Sequence, residues 1–571
     1  MTVGIAGSGP AVEAIEAALS DVDVRAERRE ALDVGAFELG IVVDVAGSTA
    51  FERVNDVARE TNAPWIAVEL GGVGGVPVVD AAITGFDGTG GCYACLETRV
   101  RSNVDPTEQP TEAPRPTTAR YAGAIAGRAA AGFLDDGTDG PDVFGHVIEI
   151  PHERRRLLAV PHCGCGTEPT RKVERTTASR GVEESLALAE RGIDDRVGIV
   201  REVGEIHSYP LPYYLARSAD TGDFSDATAP SQAAGVALDW DEAFMRALGE
   251  AYERYAAGVY RTETFRKASY ERFDTAVPPA SFVTPSPPDR DRTRLWIDGE
   301  NLTTGQSVQL PASLVLYPPP GEDVRPATTT GLGFGNANVE ALLSGLYEVL
   351  ERDAAMLAWY STFEPLGLAV EDERFETLVS RLEAEGLSVS TLLLTQDVDV
   401  PVVACAVHRD DGEWPRFAIG SSADLDPAAA ARSALTEATQ NWLELGRMGP
   451  DRANEAGGAI GEYADFPDEV RSFVDPGSVV PAGDVGADPV PTGEAELTTL
   501  IERVIDADMT PYGARLTTRD LAMLGFEAVR VLVPEAQPLF LGEPYFGDRL
   551  DTVPDELGFE SRPDRAFHPF P

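Results

Sequence analysis

The sequence predicts an α/β protein in two parts: an N-terminal region built on a mostly parallel sheet, then a longer region of amphipathic helices. Three observations predict this. Apolar runs of strand length alternate with helical periodicity through the first hundred residues, the pattern of βαβ units. After about residue 172 the helices lengthen and are separated by proline-rich loops such as AVPPASFVTPSPPDRDR. The chain has 571 residues, too many for one core, and its 43% hydrophobic and 8% aromatic content is that of a folded protein. Length alone suggests two to four domains.

The first element is the strand VGIAGSG, which breaks into glycine before a helix, PAVEAIEAALS. DVDVRAE, LGIVVDV, PWIAVEL and VPVVDAA supply further strands. VDPTEQPTEAPRPTT holds four prolines and reads as a crossover loop. The helix ARYAGAIAGRAAAGFL follows, then a hairpin of GHVIEI and RRLLAV. The change of character places a domain boundary near residue 172, with domains 1–172 and 173–571.

The charge excludes several partners. Against 47 Lys and Arg stand 95 Asp and Glu, a net −48, and Lys172 and Lys267 are the two lysines. The acids are spread over the whole chain. Such a surface repels nucleic acid and anionic lipid. It resembles the surfaces of proteins from salt-loving archaea, where molar salt shortens the Debye length to about 3 Å. There is no apolar run long enough to span a membrane and no signal peptide pattern, so a cytoplasmic location is expected.

Gly7-Ser8-Gly9 begins a dinucleotide fingerprint, but the third glycine is missing and Pro10 follows, so the turn is read as structural. The cysteines carry more. Cys92 and Cys95 lie in GCYACLETR, Cys163 and Cys165 in HCGCG. Two close pairs of thiolates can close a tetrahedral zinc site, with His162 able to replace one of them. The fifth, Cys405, falls in the strand-like PVVACAV and is assigned to the core.

One pattern is written twice. EAFMRALGEAYERYAA, from Glu242, and EALLSGLYEVLERDAA, from Glu340, both place acids at relative positions 0, 8 and 11, then Arg, a variable residue and Ala-Ala. A fainter third copy, SALTEATQNW, keeps Leu-x-Glu-x-x-Gln and loses the Arg. On a helix Glu242, Arg246, Glu250 and Glu253 share a stripe of about 80°, as do Glu340, Ser344, Glu348 and Glu351. Leu342, Leu343, Leu346, Val349 and Leu350 take the opposite side. Spacing alone leaves two readings open: a solvated acidic face, or facing carboxylates that hold magnesium while Arg meets phosphate.

From about 173 to 571 the chain resembles the YcaO proteins, ATP-dependent enzymes that phosphorylate backbone amides. The resemblance begins at GIDDRVGIVREV. It continues through ALGEAYERY, TTTGLGFGNANVEALLSGLYEVLERDA and GSSADLDPAAAARSALTEATQ to LTTRDLAMLGFEAVRVLVPEAQPLFLGEP. It implies an α+β fold in which Glu250, Glu253, Asn336, Glu340, Glu348, Glu351 and Glu437 bind Mg2+ and ATP phosphates, completed by Arg254, Arg352 and Gln440. Residues 1–172 look like the E1-like (ThiF-like) partner domain fused to YcaO in azoline-forming cyclodehydratases, a Rossmann-type domain that presents the peptide. There GCYACLETR and HCGCG sit where that family has its zinc cysteines.

The resemblance therefore implies a cyclodehydratase that makes thiazolines or oxazolines from Cys, Ser or Thr of a ribosomal precursor peptide, with ATP, Mg2+ and Zn2+ as cofactors and a homodimer as assembly. Thioamide formation, with sulfide in place of the side chain, and a non-catalytic peptide scaffold are the alternatives. The chain departs from the pattern at Trp442, where Arg is usual, and at Ala247, where Ser is. It ends Phe567-His568-Pro569-Phe570-Pro571, two prolines of a usual three, and the tail implies the Pro571 carboxylate as a catalytic base. No winged-helix element precedes residue 1, so a separate leader-peptide-binding protein is expected, with a dehydrogenase as a further partner.

Overall fold

The computed structural model describes residues 2–30, 32–104, 115–134, 142–151, 153–453 and 460–571. Most of the proline-rich loop of VDPTEQPTEAPRPTT, 105–114, lies outside them.

The N-terminal region contains β1 (Thr2–Ala6), α1 (Pro10–Ser20), β2 (Arg25–Arg29), β3 (Leu39–Val45), α2 (Thr49–Thr61), β4 (Trp65–Leu70) and β5 (Ala81–Phe86). It ends with α3 (Tyr93–Asn103), α4 (Pro116–Leu134), β6 (His146–Ile150) and β7 (Glu153–Arg156). The seven strands form one sheet in the order β2-β1-β3-β4-β5-β6-β7. The expected mostly parallel sheet is half correct. The pairings β1/β2, β1/β3 and β3/β4 are parallel, while β4/β5, β5/β6 and β6/β7 are antiparallel. The segment between Leu70 and Ala81 is too short for a helical crossover, so β5 must run back along β4. Two strand assignments also shift. In VPVVDAA only the last two residues enter β5, and in RRLLAV only Arg155 and Arg156 pair. Leu157, Leu158, Ala159 and Val160 are apolar because they are buried beneath the cysteines, not because they pair in a sheet.

Helices α1 and α4 touch backbone to backbone. A Cβ at Gly123 would lie 2.1 Å from the carbonyl oxygen of Ala11, which only glycine allows.

The remainder opens with α5 (Val182–Ala189), β8 (Val200–His207), β9 (Tyr213–Ser218), β10 (Gln232–Val236) and α6 (Trp240–Gly258). Next come β11 (Arg266–Ala268), β12 (Arg294–Asn301), β13 (Ser307–Pro311), α7 (Ala312–Val315), β14 (Leu332–Gly335) and α8 (Asn338–Trp359). They are followed by β15 (Leu366–Ala369), α9 (Glu373–Ala384), β16 (Ser388–Leu393), β17 (Val402–His408), β18 (Phe417–Ala423) and α10 (Pro427–Ala453), which breaks at Gly449. The chain closes with α11 (Ile460–Tyr463), α12 (Asp468–Phe473), β19 (Val479–Pro481), α13 (Glu494–Asp506), β20 (Tyr512–Arg515), α14 (Arg519–Leu524), β21 (Glu527–Leu532) and α15 (Arg549–Leu557).

Three sheets result: β10-β9-β8; β11-β12-β20-β21-β14, with β13 on β12; and β18-β17-β16-β15-β19. Helix α8 runs between the last two, against β14 and β21 on one side and β17 and β18 on the other. Its Leu, Ala and Glu content favours helix, and Glu340 in its first turn complements the helix dipole. Leu342, Leu346, Met356 and Trp359 are fully buried, so Leu346→Ala costs about 2–5 kcal/mol. Among the described residues no helix is long and apolar enough to cross a membrane. Cys405 on β17 is buried, as expected.

Candidate functional site

The doubled acidic pattern reflects a strand–helix join that the fold makes three times. Each join has a strand glycine pressed against a helix backbone. A Cβ on Gly235 of β10 would lie 2.1 Å from Ala247 N of α6. On Gly333 of β14 it would lie 2.0 Å from Ala341 O of α8, and on Gly420 of β18, 2.4 Å from Ala438 N of α10. With no side chain between them, each helix lies flush on its strand. One glutamate of each helix then reaches a backbone N–H at the strand: Glu250 accepts from Ala234 N (3.1 Å), Glu348 from Gly331 N (3.0 Å) and Glu437 from Ser421 N (2.6 Å). Three residues further along each helix stand Glu253, Glu351 and Gln440; four further, Arg254, Arg352 and Asn441. The third copy, faint in the sequence, repeats the glycine seat and the glutamate bond but carries Gln440 and Asn441 in place of Glu and Arg.

The three helices bring their acids into one electrostatic group. Burial pushes Glu253 up to about 7 and Glu351 up to about 8, and it raises Glu250 and Glu437 as well. The charge of Glu348 adds to the rise in all four, so it is the acid that links α6 with α8 and α10. Guanidinium groups oppose the rise, two of them by direct pairing. Arg254 pairs with Glu253 (2.7 Å) and Glu250 (3.5 Å); Arg352 pairs with Glu351 and Glu437 (3.5 Å each). Ser421 Oγ also donates to Glu351 (2.7 Å). With Arg530 on β21 also facing Glu253 and Glu348, three guanidiniums stand among five acids, and the wall is still short of positive charge, which bound cations would supply.

The chain end reaches the same place. Trp359 Nε1 donates to Ala566 O (2.8 Å) and Tyr463 OH to Phe567 O, while His568 and Phe570 are buried. His568, pressed against Phe540 O, is pushed down to about 4 by burial. Arg352 Nη1 donates to Pro571 O at 3.0 Å. The same guanidinium thus holds Glu351, Glu437 and the last residue.

Of the expected nucleotide residues, Glu250, Glu253, Arg254, Glu348, Glu351, Arg352 and Glu437 come together in this wall. Asn336 and Glu340 do not adjoin it. They bond to one another at the start of α8, about 12 Å along the axis from Glu348, with Ser185 donating to Asn336 Oδ1. Gln440 is turned onto Glu444 (3.0 Å). Trp442 points away, to Pro415 O and the guanidinium of Arg409.

Two residues escaped the sequence reading. Glu444, whose charge raises Glu250 and Glu437, accepts from Tyr213 OH (3.2 Å); its spacing of four from Gln440 and seven from Glu437 was a readable signal. Arg530 on β21, pushed down to about 9 by burial, faces Glu348 and Glu253 and carries no such signal.

The cysteines form a separate centre. Their four sulfurs all lie within 4.8 Å of one another, with Cys92–Cys163 and Cys95–Cys165 at 3.6 Å and Cys92–Cys95 at 3.9 Å. A tetrahedral Zn–S4 centre with bonds of about 2.3 Å puts its sulfurs about 3.8 Å apart, so the donor set fits zinc. Val160 N and Arg519 Nη1 donate to the sulfurs of Cys95 (3.3 Å) and Cys165 (3.2 Å). His162 is not in the group; its backbone N–H is held by Glu168. Among the described residues the acids of the wall are not as tightly gathered as these four thiols.

The family profile described as YcaO cyclodehydratase, ATP- and Mg2+-binding, matches residues 234–537. An uncharacterized protein of Methanothermobacter thermautotrophicus is 32% identical over 260 residues, 43% of this chain and 65% of that one. An uncharacterized protein in the tfuA 3′ region of Rhizobium leguminosarum bv. trifolii is 30% identical over 164 residues, 26% of this chain and 39% of that one. The chain thus spans less than two thirds of either relative. Two solved structures share the fold along 98% of the chain. One is a heterocyclase in complex with substrate and cofactor, with a TM-score of 0.76, 20% identity and 83% of that chain covered. The other is the heterocyclase TruD, with a TM-score of 0.68, 21% identity and 81% covered. The profile takes in all three joins, from Ala234 beside Gly235 to the strand that carries Arg530, and on that match the chain belongs to the YcaO family.

Proposed function

We propose that the chain is an ATP-dependent cyclodehydratase that forms thiazolines or oxazolines in a ribosomal peptide. One observation carries the reading: three glycine-seated helices present five buried or half-buried carboxyls around the guanidiniums of Arg254 and Arg352, and Arg352 also holds the chain end.

Glu250, Glu253, Glu348, Glu351 and Glu437 would hold Mg2+, which when bound neutralises phosphate charge. Arg254 and Arg352 meet phosphate oxygens, and the Asn336–Glu340 pair marks the other end of the nucleotide site. In the reaction, a Cys, Ser or Thr side chain of the peptide attacks the preceding carbonyl carbon and loses its proton. The resulting oxyanion displaces ADP from the γ-phosphorus. The amide nitrogen then loses its proton as the C–O bond breaks and inorganic phosphate departs, leaving the C=N bond of the azoline. The Pro571 carboxylate, fixed by Arg352, is the proton acceptor of this scheme. Residues 1–172 form the E1-like domain that presents the peptide, and Cys92, Cys95, Cys163 and Cys165 hold its zinc. The enzyme is cytoplasmic and dimeric.

The test uses a Cys-containing peptide whose backbone carbonyl carries a heavy-oxygen label, with ATP and Mg2+. Each ring should cost the peptide one water, and the label should appear in the released phosphate. Phosphate without label, or ATP cleavage with the peptide mass unchanged, overturns the reading.

A further inference from the structure

Helix α3 carries Cys92 at its N-cap and Cys95 in its first turn, then Arg99 one turn further on the same face. Helix α14, more than 400 residues later, begins with Arg519 and Asp520. The two ends meet. Arg519 donates to Cys165 Sγ at 3.2 Å and to Gly90 O at 3.3 Å. It lies flat over Gly166, where a Cβ would sit 2.2 Å from its Nη2. Its neighbour Asp520 forms an ion pair with Arg99, and both side chains are 0% exposed. Arg99 also donates to Ala159 O (3.1 Å), just ahead of the second cysteine pair.

The same Asp520 oxygen that meets Arg99 accepts from Tyr255 OH at 2.6 Å. Tyr255 lies on α6, next to Arg254, which holds Glu253 and Glu250. A path therefore runs from the cysteines to the acid wall through two polar contacts and two peptide links: Cys165 to Arg519, on to its neighbour Asp520, across to Tyr255, and on to its neighbour Arg254. Asp520 and Tyr255 at its middle are fully buried, while Arg519 is half-buried. A buried carboxylate cannot lose one partner without keeping another, so displacement at Arg99 is felt at Tyr255. Four thiolates around one divalent ion leave two units of negative charge, and Arg519 is the cation aimed at them.

We propose that the four-cysteine centre, once filled, is a latch between the two regions that sets the position of α6, with Arg519, Asp520, Arg99 and Tyr255 as its positioning residues. The latch rests on the reading of the thiols as a zinc site and of α6 as part of the nucleotide wall. Emptying the centre frees the start of α3 and the Cys163–Gly166 loop together. Arg519 then loses its anion, Arg99 shifts along Asp520, and the last turns of α6 loosen around Tyr255. The ATP site is thereby tied to metal loading although no cysteine touches it.

The experiment is amide hydrogen exchange on the full-length protein, zinc-loaded and after chelator stripping, with α9 as internal reference. Stripping should speed exchange across Tyr252–Gly258 about tenfold and leave α9 unchanged. Asp520→Asn and Tyr255→Phe should show the fast α6 exchange while still holding zinc, and stripping them should add nothing further. Arg519→Gln should lose zinc to a chelator about tenfold faster. If Asp520→Asn does not fold, Tyr255→Phe carries the test, since it removes a single oxygen. Identical α6 exchange in loaded and stripped protein overturns the latch. So does a Tyr255→Phe protein with wild-type sensitivity to stripping, or a protein that takes up no zinc. Because exchange is read without nucleotide, failure of the latch is separate from failure of the nucleotide reading, which shows as normal ATP turnover in Glu348→Gln.

Discussion

Glu348→Gln should make the protein more stable and less active at once. Gln keeps the carbonyl-type acceptor for Gly331 N, so the strand–helix join survives. What it removes is the charge that raises Glu250, Glu253, Glu351 and Glu437 together. At an effective dielectric of about 20, two unit charges repel by about 4 kcal/mol at 4 Å, falling in inverse proportion to distance. Protonation of the neighbours and the lost attraction for Arg254, Arg352 and Arg530 offset most of this, so the net gain is at most about 1 kcal/mol at pH 8 without divalent metal. Urea titration in EDTA should show a higher midpoint. With Mg2+ and ATP the sign reverses, because the group linking the three helices is gone, and turnover should fall by about 10²-fold or more, the scale of losing one preorganised electrostatic group. A purely structural glutamate predicts lower stability, and a solvated one predicts no change in either quantity. A lower midpoint in EDTA, or turnover within threefold of wild type, would refute the reasoning.

The wall should also make stability depend on pH in a metal-sensitive way. Glu253 and Glu351 bind protons up to about 7 and 8 in the fold, against an ordinary 4.5. Their protonation therefore stabilises the metal-free protein fully below about pH 4.5, and that contribution is lost as pH rises through 7 to 8. Urea midpoints at pH 6 and 9 should differ without Mg2+, and added Mg2+ should narrow the gap. For the tail, removing His568–Pro571 or extending beyond Pro571 should suppress ring formation, read by peptide mass, far more than ATP binding; equal ring formation would leave the tail without a chemical role. The same deletion exposes the pocket of Phe570 and should cost about 3–5 kcal/mol if the core does not close over it. Trp442→Arg should not improve the KM for ATP, since that side chain faces Pro415, and a gain would show that position 442 can reach the phosphates.

The acidic repeat was legible because helix periodicity turns spacing directly into a face. Glu250, Glu253, Glu348 and Glu351 therefore stand out from spacing alone as one face per helix. The reason for the repeat was not legible, because it lies in Gly235, Gly333 and Gly420, each on the strand just ahead of its helix but ordinary as a letter, and only the fold shows that the helix backbone presses against it. The cysteine pairs announced themselves by proximity along the chain. Arg519, which faces them, is separated from Cys165 by 354 residues and belongs to a short helix without pattern. The sheet was misread where burial and pairing part company. Leu157 to Val160 are as apolar as any strand, yet what they satisfy is the floor of the cysteine centre.

Glycine seating also bears on which ion the wall accepts. Where a helix rests on side chains, rotamers can give, and the gap can widen to suit a larger guest. Here Gly235, Gly333 and Gly420 set α6, α8 and α10 directly on peptide backbone, with no side chain to give between helix and strand. Calcium asks for six to eight oxygens at about 2.3–2.6 Å; magnesium is content with about 2.0–2.1 Å and an octahedron. A chain whose surface carries twice as many acids as bases must bind calcium loosely almost everywhere. At the wall, the missing β-carbons therefore predict that magnesium supports turnover better than calcium does.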